Sequence, residues 1–208
     1  MAELLLELYS EEIPPQLQIA ARTQIKIFIE NTLKEENIKY EKLSVYSSPT
    51  RLTLFIKDLA EKIQIKSKEV KGPKVGSPDQ VIQGFLKAKN VSLKDLVEKD
   101  TDKGKFYFIK TQSQSILVED LLTNIIPKAI GSINWKRSMK WSDHNMIWGR
   151  PLRSIFAKYN NKKLEFNYEH LNTTDEIIIE QDLVTKIKKV KDFEDYLNFL
   201  KSNKIIID

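Results

Sequence analysis

The chain has 208 residues, 41% of them apolar and 30% charged, so it is long enough to bury a core and too hydrophobic for a disordered segment. It has no cysteine, which excludes a disulfide framework and thiol chemistry, and no apolar run approaches the ~20 residues of a membrane-spanning helix. The net charge of +5 is compatible with a nucleic-acid partner without demanding one. Leu4-Leu5-Leu6 is too short for the core of a signal peptide and has no basic region before it, so the expected location is the cytoplasm, with no membrane partner.

Glu3 to Tyr9 reads as an apolar strand. Ser10-Glu11-Glu12-Ile13-Pro14-Pro15 follows it: two acids, then Pro, suit a helix start because acids favour the positive end of the helix dipole. An acidic pair there could also bind a cation or an amine. The helix should run from about Pro15 to Leu33 and bury Leu17, Ala21, Ile25, Phe28 and Thr32. Lys42–Tyr46 and Arg51–Lys57 predict two strands around Ser47-Ser48-Pro49-Thr50, the second with one core face. Arg51 could reach a phosphate or form a structural ion pair. Glu61 to Lys71 alternates, placing Lys62, Lys66 and Lys68 on one strand face. That stripe could follow a nucleic-acid backbone or simply be solvated.

Ser77-Pro78-Asp79-Gln80 and Ser92-Leu93-Lys94-Asp95 are capping boxes that predict two short helices. Asp102-Lys103-Gly104-Lys105 is a turn signal, and Phe106 to Ile109 a strand with aromatics on both faces. Ser115 to Ile130 predicts a second long helix, with a kink or an end near Ile126 because of Pro127. Further on, Leu152–Tyr159 and Lys163–Tyr168 suggest a hairpin turning at Asn160-Asn161. Val184–Val190 suggests a strand and Asp192–Lys201 a last helix, and the terminal Ile205-Ile206-Ile207 calls for burial. The expected class is α+β, with mixed and antiparallel sheets, two long helices and several short ones. It forms one region, 1–208, with a subdivision near 170–180.

Residues 136–153 are the most unusual passage. Trp141 and Trp148 sit among Lys136, Arg137, Lys140, Arg150 and Arg153, and Ser142-Asp143-His144-Asn145 lies between them as a cluster of turn formers. The local reading is a hairpin-like turn with cations on both arms. Arg beside Trp can bind phosphate, stack on a base, or pack on an indole of its own chain. The remaining chemistry is sparse. Six glycines form no phosphate loop, two histidines show no metal-ligand spacing, and the carboxylates form no recognisable catalytic pair. The residues alone describe an α+β domain with a basic, Trp-containing corner.

The order of short motifs resembles a family. Pro127-Lys128-Ala129-Ile130, Ser138-Met139-Lys140-Trp141 and Arg150-Pro151-Leu152-Arg153 are similar to the "PKAI…SMRW…RPIRW" progression of the bacterial heterotetrameric glycyl-tRNA synthetase beta subunit. The opening, with Glu7, Glu11, Glu12 and Pro14-Pro15, resembles that family's "LLxEIxTEELPP". So do Ser48-Pro49-Thr50-Arg51-Leu52 ("TPRRL"), Lys71-Gly72-Pro73, Gly84-Phe85 and Thr101-Asp102-Lys103-Gly104. The departures are Ser142 where Gly follows "SMRW", Gly149 where an apolar residue precedes Arg-Pro, and Ser154 where Trp follows. After Asn172-Thr173-Thr174 the family's "GHRF" is replaced by Asp175-Glu176-Ile177.

The resemblance implies the N-terminal part of such a beta subunit, without the family's C-terminal domains. It further implies that the alpha subunit uses ATP with magnesium at a catalytic site of its own. This region would support glycine tRNA binding or subunit assembly and carry no catalytic residue, metal or cofactor. The tRNA contacts expected are Lys136, Arg137, Lys140, Arg150 and Arg153, with Arg51, Lys62, Lys66 and Lys68 as weaker candidates. The rival reading is a free-standing RNA- or protein-binding module from a truncated paralogue.

Overall fold

The structure, a computed structural model, describes residues 2–207 except 66–68, 90, 102–103, 111–113, 141–144 and 182. It divides into two compact units, Met1–Ile63 with Leu117–Asp208, and Gln64–Ile116. The 170–180 region lies inside the first unit.

The first unit begins with β1 (Ala2–Ser10), α1 (Pro15–Glu35), β2 (Lys42–Ser48) and β3 (Arg51–Leu59), and β4 (Lys62–Ile65) spans the division between the units. The chain then forms β5 (Glu69–Lys74), α2 (Asp79–Lys89), a 3-10 turn (Leu93–Asp95), β6 (Leu96–Thr101), β7 (Gly104–Lys110) and β8 (Gln114–Leu117). It returns through α3 (Val118–Gly131), β9 (Met139–Lys140), β10 (Ile147–Trp148), β11 (Leu152–Tyr159), β12 (Lys162–Lys163), β13 (Asn167–Tyr168) and β14 (Leu171–Thr174). It ends with β15 (Glu176–Gln181), β16 (Val184–Lys189) and α4 (Phe193–Ser202). The class is α+β. Of the two helices expected to be long, α1 has 21 residues, whereas α3 has 14 and starts at Val118. Residues 115–117, expected as its first turn, belong instead to β8, which pairs with β4. No described helix is long and apolar enough to cross a membrane.

The large sheet runs β13-β14-β11-β1-β3-β2, with β12 on β11. β1 is antiparallel to both neighbours: Leu6 lies opposite Leu54 on one side and Ala157 on the other. A strand in that position buries both faces, which explains its near-continuous apolar run. On one face Leu4, Leu6 and Leu8 are buried with Leu52, Leu54 and Ile56 of β3. On the other, Leu5 joins Phe55 and Phe156 in a cluster with Ile177, Ile179, Tyr196 and Leu200 of β15 and α4. The expectation of a single core face for β3 is therefore corrected: α4 and β15 cover the second.

α1 packs on β2, β3 and α3. It buries Leu17, Ala21, Ile25, Ile29 and Leu33, not Phe28 and Thr32. Steps of four residues drift around a helix, and such a stripe follows the twist of the strands beneath it. Pro127 neither ends nor stops α3, which continues to Gly131. Asn160 and Asn161 both take positive φ, as a two-residue hairpin turn requires. The second hairpin arm is shorter than expected. After Lys163 the chain buries Leu164 and Phe166, and β13 pairs with β14. At the end of the chain Ile207 is buried and its carbonyl accepts from Ser47 N at 3.1 Å, while Ile206 is exposed.

In the second unit the order is β5-β7-β6, all antiparallel. Gly72 leaves room for the Phe85 ring of α2: a Cβ there would lie 2.7 Å from Cε1. Ser92 and Asp95 form the expected capping box around a single 3-10 turn. β6 had no strand signal in the sequence and forms as the partner of β7. The turn signal at Asp102-Lys103 lies outside the described residues.

Candidate nucleic-acid interface

Two groups of cations lie at one end of the large sheet, and they differ in their partners. The first starts from Arg51. It opens β3 opposite Tyr9 of β1 and is only 2% exposed. Its Nε donates to Glu7 Oε2 at 3.0 Å, and Tyr196 OH donates to the same oxygen at 2.6 Å. Tyr196 OH also shares a hydrogen bond of 2.8 Å with Thr53 Oγ1, and another guanidinium nitrogen donates to the Ile178 carbonyl. Burial pushes the Glu7 carboxyl up, with Arg51 and Tyr196 opposing it. Burial, then the neighbouring Glu7, pushes the Tyr196 hydroxyl well up. Of the two roles open to Arg51 in the sequence, the structure places it in the ion pair, out of reach of a phosphate at the surface.

The network continues outward. Arg51 lies 4.6 Å from the centre of the Tyr9 ring, and Arg153 lies 5.8 Å from it. Tyr9 OH donates to Glu180 Oε2 at 3.1 Å, and Arg153 donates to both Glu180 oxygens. Glu11 stands 3.6 Å from the same guanidinium. The hydrogen bond from Arg153 is the main cause holding the Glu180 carboxyl below its usual range, and Glu180 in turn raises Arg153. Arg153 thus has two carboxylates. Glu11 is an ion-pair partner and not a helix cap: the residue capping α1 is Pro14, with no side-chain cap and no acid in the first turn.

The second group sits on the segment between α3 and β11. Gln24 of α1 clips this segment by exchanging two hydrogen bonds with the Asn134 backbone, the shorter at 2.7 Å. Trp135 and Trp148 are buried against each other, with ring centroids 4.8 Å apart and planes tilted by 59°. Gly149 permits this approach, since a Cβ there would lie 2.5 Å from Trp135 Cε3. Residues 139–140 and 147–148 pair as the expected hairpin arms, Ile147 opposite Lys140. Trp141 and the turn residues Ser142, Asp143 and His144 lie outside the described residues. Trp135, which the sequence reading passed over, is the tryptophan that anchors the corner together with Trp148. Its only signal was its position four residues after α3, next to Lys136.

This anchor sets the cations. Lys136, Arg137 and Arg150 line one cleft of about 390 Å³, together with Pro14, Leu17 and Ala20 at the start of α1. None of the three has a carboxylate partner among the described residues, and Arg150 donates to the neighbouring Gly149 carbonyl at 3.1 Å. Lys140 lies apart and donates to Asn145 Oδ1 at 3.0 Å. The five expected cations therefore separate into three that converge, Lys140 on the hairpin, and Arg153 in its ion pairs. Of the weaker candidates, Lys62 is exposed on β4, while Lys66 and Lys68 lie outside the described residues.

Arg150 also borders a more open depression of about 890 Å³ with Glu11, Glu12, Met139 and Pro151. Here the acids that failed to cap α1 stand opposite an arginine. Among the described residues no three His, Asp or Glu side chains could hold a metal ion. What the corner offers is cationic charge on a rigid, Trp-anchored frame, suited to holding a phosphate-bearing ligand.

A family model described as Glycyl-tRNA synthetase beta subunit matches residues 4–208. The glycine--tRNA ligase beta subunit of Rickettsia peacockii (strain Rustic) is 37% identical over 210 residues, covering 100% of this chain and 31% of that protein. Those of Rickettsia felis and Rickettsia bellii (strain OSU 85-389) are 36% and 35% identical over 211 and 209 residues, each covering 100% of this chain and 32% of the relative. The chain thus spans about a third of the length of the curated relatives it matches.

Proposed function

The chain belongs to the glycyl-tRNA synthetase beta subunit family, and from this we propose that it is a non-catalytic tRNA-binding and assembly part of a heterotetrameric glycyl-tRNA synthetase. In this reading it works in the cytoplasm with an alpha subunit that uses ATP and glycine, and it helps hold glycine tRNA for charging. The observation that carries the reading is the convergence of Lys136, Arg137 and Arg150 on one cleft without a carboxylate partner among the described residues. Three converging cations on a Trp-anchored frame match the phosphate backbone of a nucleic acid better than a small neutral substrate.

The test measures glycine tRNA binding across a range of salt concentrations. Reversing two charges in R137E/R150E should weaken binding and flatten the plot of log affinity against log salt by about 2. Unchanged affinity and slope would remove the corner from tRNA contact. Mixing the chain with the alpha subunit, then following co-elution and glycine-dependent charging, separates the two halves of the reading. Co-elution without charging would assign docking to this region and tRNA placement to other parts of the beta subunit. Charging restored by this chain alone would give it both.

A further inference from the structure

The second unit carries a surface that the basic corner does not account for. Its three-stranded sheet has two unlike faces, and the strand register assigns each side chain to one of them. Tyr107 and Ile109 share a face with Leu96, Glu98 and Asp100 of β6. That is the face covered by α2, since Gly72 meets Phe85 beside the Tyr107 carbonyl. The opposite face carries Phe106 and Phe108 on the central strand, flanked by Lys71 and Lys74 on β5 and by Val97 and Lys99 on β6.

Glu98, Asp100 and Lys105 lie on the helix side, and Lys71, Lys74 and Lys99 lie on the open face. The lysines are tied to the rings: Lys71 Nζ lies 3.6 Å from the centre of Phe106 and Lys99 Nζ lies 5.8 Å from that of Phe108. Lys74 reaches across Gly104, where a Cβ would lie 3.2 Å from its Cε. Phe106 and Phe108 are half-buried and Val97 is half-exposed, so apolar surface stays open between the ammonium groups.

We propose that the open face of β5-β7-β6 binds unpaired nucleotides of an RNA strand, with bases on Phe106 and Phe108 and the backbone along Lys71 and Lys74. Two aromatic side chains two residues apart on a central strand form a platform on which successive bases can stack. Lysines on the flanking strand β5 lie where a strand crossing the sheet carries its phosphates. A duplex has its bases already stacked and offers no free face to the rings, so single strands are selected. The choice of RNA over DNA rests on the tRNA reading above; the stacking and charge chemistry do not depend on it.

The test uses the 208-residue chain and a fluorescein-labelled RNA of about 12 nucleotides without self-complementarity, alone and annealed to its complement. The single strand should bind more tightly than the duplex. F106L/F108L keeps apolar volume while removing both rings and should weaken single-strand binding about tenfold. K71A/K74A should lower the salt slope by about 1.4. A strand carrying 4-thiouridine, crosslinked to the unaltered protein, should label peptides containing Phe106 or Phe108, a readout that does not depend on how well the variants fold. Crosslinks confined to other peptides would overturn the proposal, as would equal affinity for the duplex. If R137E/R150E abolished oligonucleotide binding and F106L/F108L left it intact, the strand would belong to the corner: the sheet-face site would fall and the corner's role would stand. Loss of tRNA binding in neither variant, with oligonucleotide binding still sensitive to F106L/F108L, would sink the corner and keep the platform.

Discussion

Arg51 and Arg150 stand near the same end of the two strands that flank β1, and their fates are opposite. Arg51 is in register with Tyr9 on the face covered by α4, two residues along β1 from the Glu7 carboxylate. Arg150 precedes β11, so no strand register brings a carboxylate to it. It turns instead into a cleft with Lys136 and Arg137. Arg153 is intermediate: it lies within β11, remains 42% exposed at the side chain and meets Glu180 and Glu11. Charge and residue type are identical in all three. What separates them is whether the sheet supplies a carboxylate at the right register and a layer to bury the pair. Arg150 receives neither: Glu11 and Glu12 border the depression beside it, and no ion pair ties it to them among the described residues.

The comparison breaks first at its buried side. R51M removes the partner of a buried carboxylate and should cost about 3 to 5 kcal/mol in urea unfolding, because Glu7 is left without its countercharge. Adding E7Q should recover part of the loss. If R51M alone were neutral, the ion pair would be dispensable and its contrast with Arg150 would collapse. The next largest effect tests the frame of the open side. G149A drives a methyl group into the Trp135 ring and should cost about 1 to 3 kcal/mol, with a shift in tryptophan emission that reports repacking of the Trp pair. Retained stability with unshifted emission would mean that Trp135 does not pack closely on Gly149.

R150Q should change unfolding free energy by no more than about 0.5 kcal/mol, since it breaks no ion pair among the described residues and adds no acid beside Glu11 and Glu12. A large loss of stability would show Arg150 to be structural, like Arg51. The smallest effect belongs to the intermediate case. Glu180 is held below its ordinary value of 4.5 by Arg153, so its folded-state value lies under its unfolded one. Its contribution is therefore fully present above the ordinary value and lost as pH falls through the folded one. E180Q should flatten stability against pH below about pH 5 and cost less than about 1 kcal/mol at neutral pH, as expected of a partly exposed pair. An unaltered acid profile would leave the Arg153 pair without energetic weight.

Much of the fold was legible because local periodicity carries it. α1, β1, β3, β11, β16 and α4 announced themselves through apolar spacing, and the capping box at Ser92 through its acceptor three residues on. β6 and β15 were silent. Strands bordered by charged and polar residues have weak periodicity and form because a partner strand offers its backbone. β8 was mistaken for the start of α3 because four residues show too little of either period to tell helix from strand. In the corner, composition exposed the cluster of cations, while the choice among them depended on distances of more than a hundred residues along the chain, such as Gln24 to Asn134 and Tyr9 to Glu180.

By itself the sequence determined the α+β class, the family through an ordered set of motifs, and the passage in which the basic corner lies. These depend on residue order and near-neighbour spacing, which a linear string contains. Only the tertiary structure decided that Trp135 pairs with Trp148, that Glu11 meets Arg153 instead of capping α1, and that Arg51 is sealed while Arg150 is open. Those outcomes turn on strand register and on which face of the sheet is covered, and a shift of one residue in a strand exchanges the two faces.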